Sequence, residues 1–320
     1  MNRKRPRRLF KYLNFSDRLL QQLCAGEVHY SDPATFNDPL DCEPVVKADV
    51  PNEELKQILG QLVFRRPGKE IDLAMKKLRL RGDKTLARRL ALTESEVQAI
   101  IGDIEYQATD PDAGDPQEYI GAALTQATQT ELRRSYDVGV LCLSERFCSP
   151  LMWSHYGQQH RGVCVEYDVS TVATDEIRKV EYGESREILA SAIRAWLLDD
   201  NADARRTIEG ACLLRKSKEW AYEREWRMLG RIGLGPSRIP LTAVIFGLRC
   251  PRTLQYSIVK ILGGMGSSVK FWQMGATGAR FELKRYRVDV DELMASIPLR
   301  SVLLDFEVLP DDPRPAEPRI

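Results

Sequence analysis

The strand-like segments of this 320-residue chain lie toward its two ends, and a helical stretch of some eighty residues separates them. LFKY (9–12) and EVHYS (27–31) stand near the start. VGVLCLS (138–144), VCVEYDV (163–169), KVEYG (179–183), WAYEREWRML (220–229), PLTAVIFGL (240–248), VKFWQM (269–274) and RFELKRYRV (280–288) follow later. Their alternation and their β-branched and aromatic content read as strands. From about 52 to 135, EELKQILGQLVF, IDLAMKKLRL, ESEVQAIIGDI and EYIGAALTQATQTELRRSY carry apolar residues at helical spacing instead. A sheet made by such a chain must join strands that are distant in sequence. The expected class is α+β: a mixed or antiparallel sheet in one domain over 9–309, with a helical insertion at about 52–135.

Smaller signals fill in the outline. SDRLLQQLCA (16–25) reads as a helix with Ser16 as N-cap and Gly26 as its stop. Thr93 with Glu96 fits a capping box. Residues 187–219 read as a long helical region broken near Asp199 to Ala202, and LMWSHYG (151–157) as a short helix or turn. SDPATFNDPLD is turn chemistry, and GGMG (263–266) is a turn after a helix. The first eight residues carry five basic side chains (Arg3, Lys4, Arg5, Arg7, Arg8) and read as a solvated arm; PDDPRPAEPRI from Pro310 reads as a disordered tail.

Charge excludes some classes. Lys plus Arg is 47 and Asp plus Glu is 46, a net +1, so the chain is neither a uniformly basic nucleic-acid coat nor an acidic tail protein. The longest apolar run, Leu241 to Leu248, is strand-sized and far short of the ~18 residues of a membrane helix. Lys11, Asn14, Asp17 and Arg18 interrupt any signal-peptide apolar region, and seven scattered cysteines without a CxxC pair suit a reducing compartment. A cytoplasmic protein without membrane association is expected.

Two segments concentrate chemistry. KEWAYEREWRML sets Glu223 and Glu225 one residue apart; on a strand they share a face, with Tyr222, Arg224 and Trp226 on the other. Such a pair is either ion-paired with Arg224, Arg227 or Lys218, or holds a carboxylate able to stabilise a cationic, oxocarbenium-like transition state. Trp220, Tyr222 and Trp226 could stack on a base. LMWSHYGQQHRGVCVEYD crowds Trp153, His155, Tyr156, His160 and Arg161 between Gly157 and Gly162 or beside them. It reads as a hydrogen-bonded corner or as a pocket wall for an anionic ligand. Ser154 beside His155 lacks a GxSxG elbow, and the Cys148, His155, His160, Cys164 spacing matches no zinc pattern.

FKY, HYSDPATFNDPLDCEP, LCLSERFCSPLMWSHYGQQHRGVCVEYD, KSKEWAYEREWRML and IPLTAVIFGLRC, in this order over about residues 9–290, resemble the bacterial family called domain of unknown function 2971. A deeper resemblance is to the ADP-ribosyltransferase fold, with its split sheet. There a first strand bears Arg or His, a helix follows, a second strand bears Ser or Tyr, and a late strand carries a catalytic Glu, often as ExE. Carried over, Lys11 or Tyr12 takes the first slot, Tyr30 or Ser31 the second, and Glu225 the third, with Glu223 as the first Glu of ExE. The resemblance implies NAD as substrate, with Glu225, Glu223 and Lys11 as catalytic residues. It implies Tyr12, Tyr30, Ser31, Asn37, Trp153, His155 and Tyr156 as cofactor-binding residues, with no metal. The acceptor, protein or nucleic acid, stays open, with room for a regulatory partner protein. The role this suggests is a defence or toxin effector. Lys11, a point charge, stands where the fold carries Arg or His.

Two other readings compete. Asp38, Asp41, Glu43, Glu223 and Glu225 could hold Mg²⁺ in a nuclease-like effector. In a non-enzymatic sensor or interaction module, NDP is a turn, WSHYG a packed corner and YEREWR an ion-paired strand.

Overall fold

The computed structural model describes residues 5–65 and 83–296. The expected helix within 71–80, the tail from 310, and Arg3 and Lys4 lie outside the described residues. The strands in chain order are β1 (Arg8–Leu13), β2 (Glu27–Tyr30), β3 (Val45–Lys47), β4 (Gly139–Ser144), β5 (Val163–Asp168), β6 (Ile177–Lys179), β7 (Glu181–Gly183), β8 (Glu187–Leu189), β9 (Arg215–Ser217), β10 (Glu225–Gly230), β11 (Gly233–Pro236), β12 (Leu241–Phe246), β13 (Lys270–Ala276) and β14 (Leu283–Arg287). The helices are α1 (Asp17–Ala25), α2 (Asn52–Arg65), α3 (Asp83–Gln107), α4 (Pro116–Ser135), α5 (Pro150–His155), α6 (Ala190–Leu197), α7 (Ala202–Leu213), α8 (Arg252–Gly264) and α9 (Val290–Ala295). Helices and strands mix, and the sheet has both parallel and antiparallel pairs, so the class is α+β.

The chain forms two compact units. The first takes the chain up to Lys11, then Ala25–Phe147 and Asp168–Pro240. Its strands β1, β4, β10 and β6 pair antiparallel in that order, with Phe10 opposite Ser144 and Arg227 opposite both Cys142 and Arg178. Short pairs β2–β11, β3–β8 and β7–β9 complete it. The helical stretch belongs to this unit. On α2, Leu55, Ile58, Leu59, Leu62 and Val63 recur at i, i+3, i+4, i+7 and i+8, and all are buried. They share one core with Leu124 and Leu132 of α4 and with α6 and α7. Burial of each such side chain contributes about 1.5–3 kcal/mol. Asp115 caps α4 through the Gln117 and Glu118 amides. In the described part of the basic arm, Arg5 donates to the Val172 (2.7 Å) and Val169 carbonyls, and Arg7 O accepts from Val169 N.

The second unit takes Tyr12–Cys24, Cys148–Tyr167 and the chain from Leu241. Here β5, β12, β13 and β14 lie in order, β12–β13 parallel and the others antiparallel. Ala243, Val244, Ile245 and Phe246 are all buried, as a strand covered on both faces requires. Gly26 (φ +64), of the first unit, ends α1 in the left-handed region, and Gly266 (φ +65) makes the turn after α8.

Three expectations need correction. Thr93 is not a cap: α3 runs through it, and Thr93 is buried in mid-helix. Residues 187–219 are not helical throughout; β8 and β9 flank α6 and α7, and the break falls near Asp199 as expected. Residues 220–229 are not one strand. Lys218–Glu223 is a 3₁₀ turn, Arg224 (φ +46) is left-handed, and β10 starts at Glu225. Glu223 and Glu225 therefore do not share a face by strand alternation.

Candidate functional site

The two glutamates meet nonetheless. Arg224, in its left-handed conformation, closes the 3₁₀ turn and returns the chain toward β10. Ser144 Oγ pins the turn by donating to Glu223 O (2.6 Å). On β10, Glu225 and Arg227 are two residues apart and face inward together, while Trp226 faces away. Trp226 donates Nε1–H to Glu145 (3.0 Å), which also accepts from Lys179 (2.6 Å).

Five charged side chains, all buried, close the cluster: Asp41, Lys216, Glu223, Glu225 and Arg227. Lys216 Nζ, from β9, lies 2.6 Å from Glu223 Oε2, 3.2 Å from Glu225 Oε2 and 3.3 Å from Asp41 Oδ2. Arg227 Nε donates to Glu225 Oε1 (2.8 Å), and its Nη2 reaches both oxygens of Asp41 (2.9 and 2.7 Å) and Glu225 Oε2 (3.3 Å). Its Nη1 donates to Leu213 O (2.8 Å) and to Cys42 Sγ (3.1 Å). The planar guanidinium thus holds two carboxylates at once, which Lys could not do. Asp41 arrives on the NDP turn, where Asp38 Oδ1 accepts from Leu40 N, and Asp38 Oδ2 accepts Trp220 Nε1–H (2.7 Å). The Trp220 ring stands over Lys216 Nζ at 5.0 Å. Tyr182 OH accepts the Glu225 amide (2.8 Å).

The electrostatics follow from burial against charge. Burial alone would raise the Glu225 pKa; the Arg227 and Lys216 charges, with hydrogen bonds from Arg227 and Cys142, override it and bring it down to about 2. Burial would lower Lys216, but Glu225, Glu223 and Asp41 raise it. Burial pushes the Cys42 thiol up to about 12 and Cys142 well above its ordinary value. Lys11, whose Nζ lies 3.4 Å from Cys142 O, is lowered by burial against the opposing pull of Cys142 and Glu225. Near neutral pH Glu225, Lys216 and Arg227 therefore keep their charges, and the Cys42 and Cys142 thiols stay protonated. The cluster can stabilise charge, but its carboxylate and ammonium cannot exchange protons as general acid or base, and its thiols are not thiolates.

Of the residues singled out by sequence, Glu225, Glu223 and Lys11 gather around β4 in the first unit. Ser31 bridges Val140 of that strand through N–H···O bonds of 2.9 and 2.8 Å. The Tyr30 ring packs on Gly230 and its Cβ on Gly139; a Cβ at either glycine would come within 2.7 Å. Asn37 is exposed on the NDP turn. Tyr12, Trp153, His155 and Tyr156 belong to the second unit. Trp153 is fully buried there, edge-on to Tyr12 (centroids 5.1 Å) and stacked on His160 (6.2 Å). Ser154 Oγ donates to Pro150 O and lies 3.5 Å from His160 Nε2.

The proposed Mg²⁺ ligands divide. Glu43 pairs with Arg133 (2.8 Å), Asp38 with Trp220, and the Lys216 ammonium fills the space among Asp41, Glu223 and Glu225. Among the described residues no three His, Cys, Asp or Glu side chains are set to hold a metal ion. Sequence reasoning missed Lys216 and gave Asp41 only as a metal ligand. The available signals were the alternation RKSK before the aromatic turn and the Asp that ends NDPLD.

An α+β chain with a buried ion cluster built from β9, β10, the 3₁₀ turn between them and the NDP turn is the class that fold and site define. A family model described as "Protein of unknown function (DUF2971)" matches residues 152–228, from α5 to within β10. No curated protein and no solved structure matches the chain. No helix among the described residues is long and apolar enough to cross a membrane.

Proposed function

We propose that the first unit is an ADP-ribosyltransferase-like module that uses NAD as substrate, with Glu225 as the anion that stabilises the reacting ribose. One observation carries this reading. The three slots of the resemblance, far apart in sequence, meet a single strand: Phe10, next to Lys11, and Glu225 both pair with Ser144 of β4, and Ser31 bridges Val140. In the transfer, the bond between ribose C1′ and the nicotinamide nitrogen breaks and its electrons leave with nicotinamide. Positive charge develops on the ribose until a nucleophile of the acceptor bonds C1′ and releases its proton. A carboxylate that stays ionised is what this step requires.

The two oxygens of Glu225 are held unequally. Oε1 has the short contact to Arg227 Nε (2.8 Å), whereas Oε2 has the longer ones, to Lys216 and Arg227 (3.2 and 3.3 Å). Lys216 has a nearer partner in Glu223 (2.6 Å). Oε2 is the atom that exchanges Lys216 for a ribose hydroxyl at least cost. Trp220, half-buried over Lys216, is the aromatic placed to stack on a ring arriving there. The seven cysteines are all free thiols, which supports a reducing, cytoplasmic setting.

The test uses purified protein, NAD labelled on the adenine, and bacterial lysate separated into protein and nucleic-acid fractions. Transfer of label by the wild type, lost in a Glu225→Gln variant that circular dichroism shows to be folded at the assay temperature, is the expected result. Absence of both transfer and nicotinamide release from folded protein overturns it. A second reading, a non-enzymatic interaction module, is favoured by the 4% exposure of Glu225 and the saturation of its oxygens. In that case the wild type transfers no label and releases no nicotinamide, and loss of stability is the only effect of Glu225→Gln.

A further inference from the structure

In the second unit, β14 is the edge strand of the sheet among the described residues and is rich in basic side chains. Lys284, Tyr286 and Arg287 are exposed on it, and Arg280 and Phe281 stand on the turn that leads into it. Lys284 and Arg287 have no carboxylate partner among the described residues. Arg280 faces only Glu282 at 3.8 Å. The strand's inner cation is already spent: Arg285 pairs with buried Glu166 (2.6 Å) and lies over the Trp272 ring (4.5 Å). Arg287, on the same face as Arg285, sets its guanidinium over the same ring (5.5 Å).

Lysines on an edge strand are a common defence against strand-to-strand aggregation. That role needs charge alone and is weakened by exposed aromatics. Here Phe281 is 101% exposed and Tyr286 53%, interleaved with the cations. Tyr286 is also seated: a Cβ on Gly275, across the strand pair, would come within 2.5 Å of its ring, so glycine leaves the space it lies in. Exposed aromatic faces interleaved with exposed cations are the recognition chemistry of single-stranded nucleic acid, in which bases stack and phosphates pair. An acidic peptide would need the cations and not the rings.

We infer that the β13–β14 edge, through Arg280, Phe281, Lys284, Tyr286 and Arg287, binds single-stranded nucleic acid without strong sequence preference. This stands apart from the transferase reading and requires no NAD.

The experiment is fluorescence anisotropy of the full chain with a fluorescein-labelled, mixed-sequence single-stranded oligonucleotide across a salt series. Lys284→Ala/Arg287→Ala is expected to weaken binding at least tenfold and to flatten the salt dependence. Phe281→Ala is expected to weaken binding roughly tenfold with the salt slope unchanged, because it removes stacking and no charge. All three side chains are exposed, so the variants keep the wild-type melting temperature, and circular dichroism checks this. Absence of binding overturns the inference. So does equal binding by the variants, or equal competition by heparin and by the oligonucleotide, which would mark a generic polyanion site.

Discussion

Two stretches within the matched segment hold their conformation by opposite means. The corner from Trp153 to Gly162 works by shape. Gly157 lies where a Cβ would sit 2.6 Å from the Trp153 ring, and Gly162 where one would sit 2.4 Å from Leu13 O. Gln158, Gln159 and His160 are left-handed in succession (φ 50, 54 and 69). The stretch from Lys216 to Arg227 works by charge: its buried Lys216, Glu223, Glu225 and Arg227, with Asp41 from outside the stretch, are removed from water and satisfied by one another. A polar sequence motif thus has two unlike fates. The first fails when an atom is added; the second fails when a charge is removed.

The largest expected effect breaks the charged stretch. Arg227→Met leaves Asp41 and Glu225 buried without their shared cation and should cost about 3–5 kcal/mol, read from the urea midpoint. An unchanged midpoint would mean that Lys216 alone suffices. Next comes acid. The folded pKa of Glu225 lies below its unfolded value, so its stabilisation is full above that value and is lost as pH falls toward about 2. Unfolding free energy should drop between about pH 5 and 2, with Glu225 contributing on the order of 3 kcal/mol of the loss. Glu225→Gln, less stable at neutral pH, should show a flatter acid profile; a profile parallel to the wild type would refute the assignment.

The shape-held corner gives smaller numbers. Gly162→Ala should cost about 1–3 kcal/mol at any pH, because the added methyl meets backbone. Gly183→Ala, where a Cβ has open space, is the control in a paired thermal melt. The least effect has the opposite sign. Gln159 is exposed and left-handed, so Gln159→Gly should be neutral to stabilising by about 1 kcal/mol: relief of ~1–2, less a glycine entropy cost of ~0.5–1. A clear loss of stability would show that the Gln159 side chain makes a contact of its own.

The regular elements were legible because period and punctuation agreed. LFKY, SDRLLQQLCA and EVHYS appear as β1, α1 and β2, and Ser16 Oγ accepts from Leu19 N at the expected cap. The T-x-x-E signal at Thr93 was overridden because helix continues on both sides of it. The strand reading of 220–229 failed at Arg224, since aromatic content cannot reveal one left-handed residue. The glutamate pair was legible as a pair, and its ion-paired alternative rightly included Arg227. Asp41 and Lys216 were not legible as partners, because only the tertiary fold brings residues 41, 216 and 227 together.

The pairing of Phe10 with Ser144 also sets a timetable. During synthesis β1 must wait while residues 11–143 are made, and at ~5–20 residues per second that is roughly 7–27 s. Throughout this interval Leu9, Phe10 and Tyr12, buried in the finished protein, have no β4 to pair with. The charges of Arg3, Lys4, Arg5, Arg7 and Arg8 directly before them act as gatekeepers that keep a waiting apolar strand from joining its neighbours on the polysome. Meanwhile α2 and α4 can gather their own core, shortening the span that β1 must finally close.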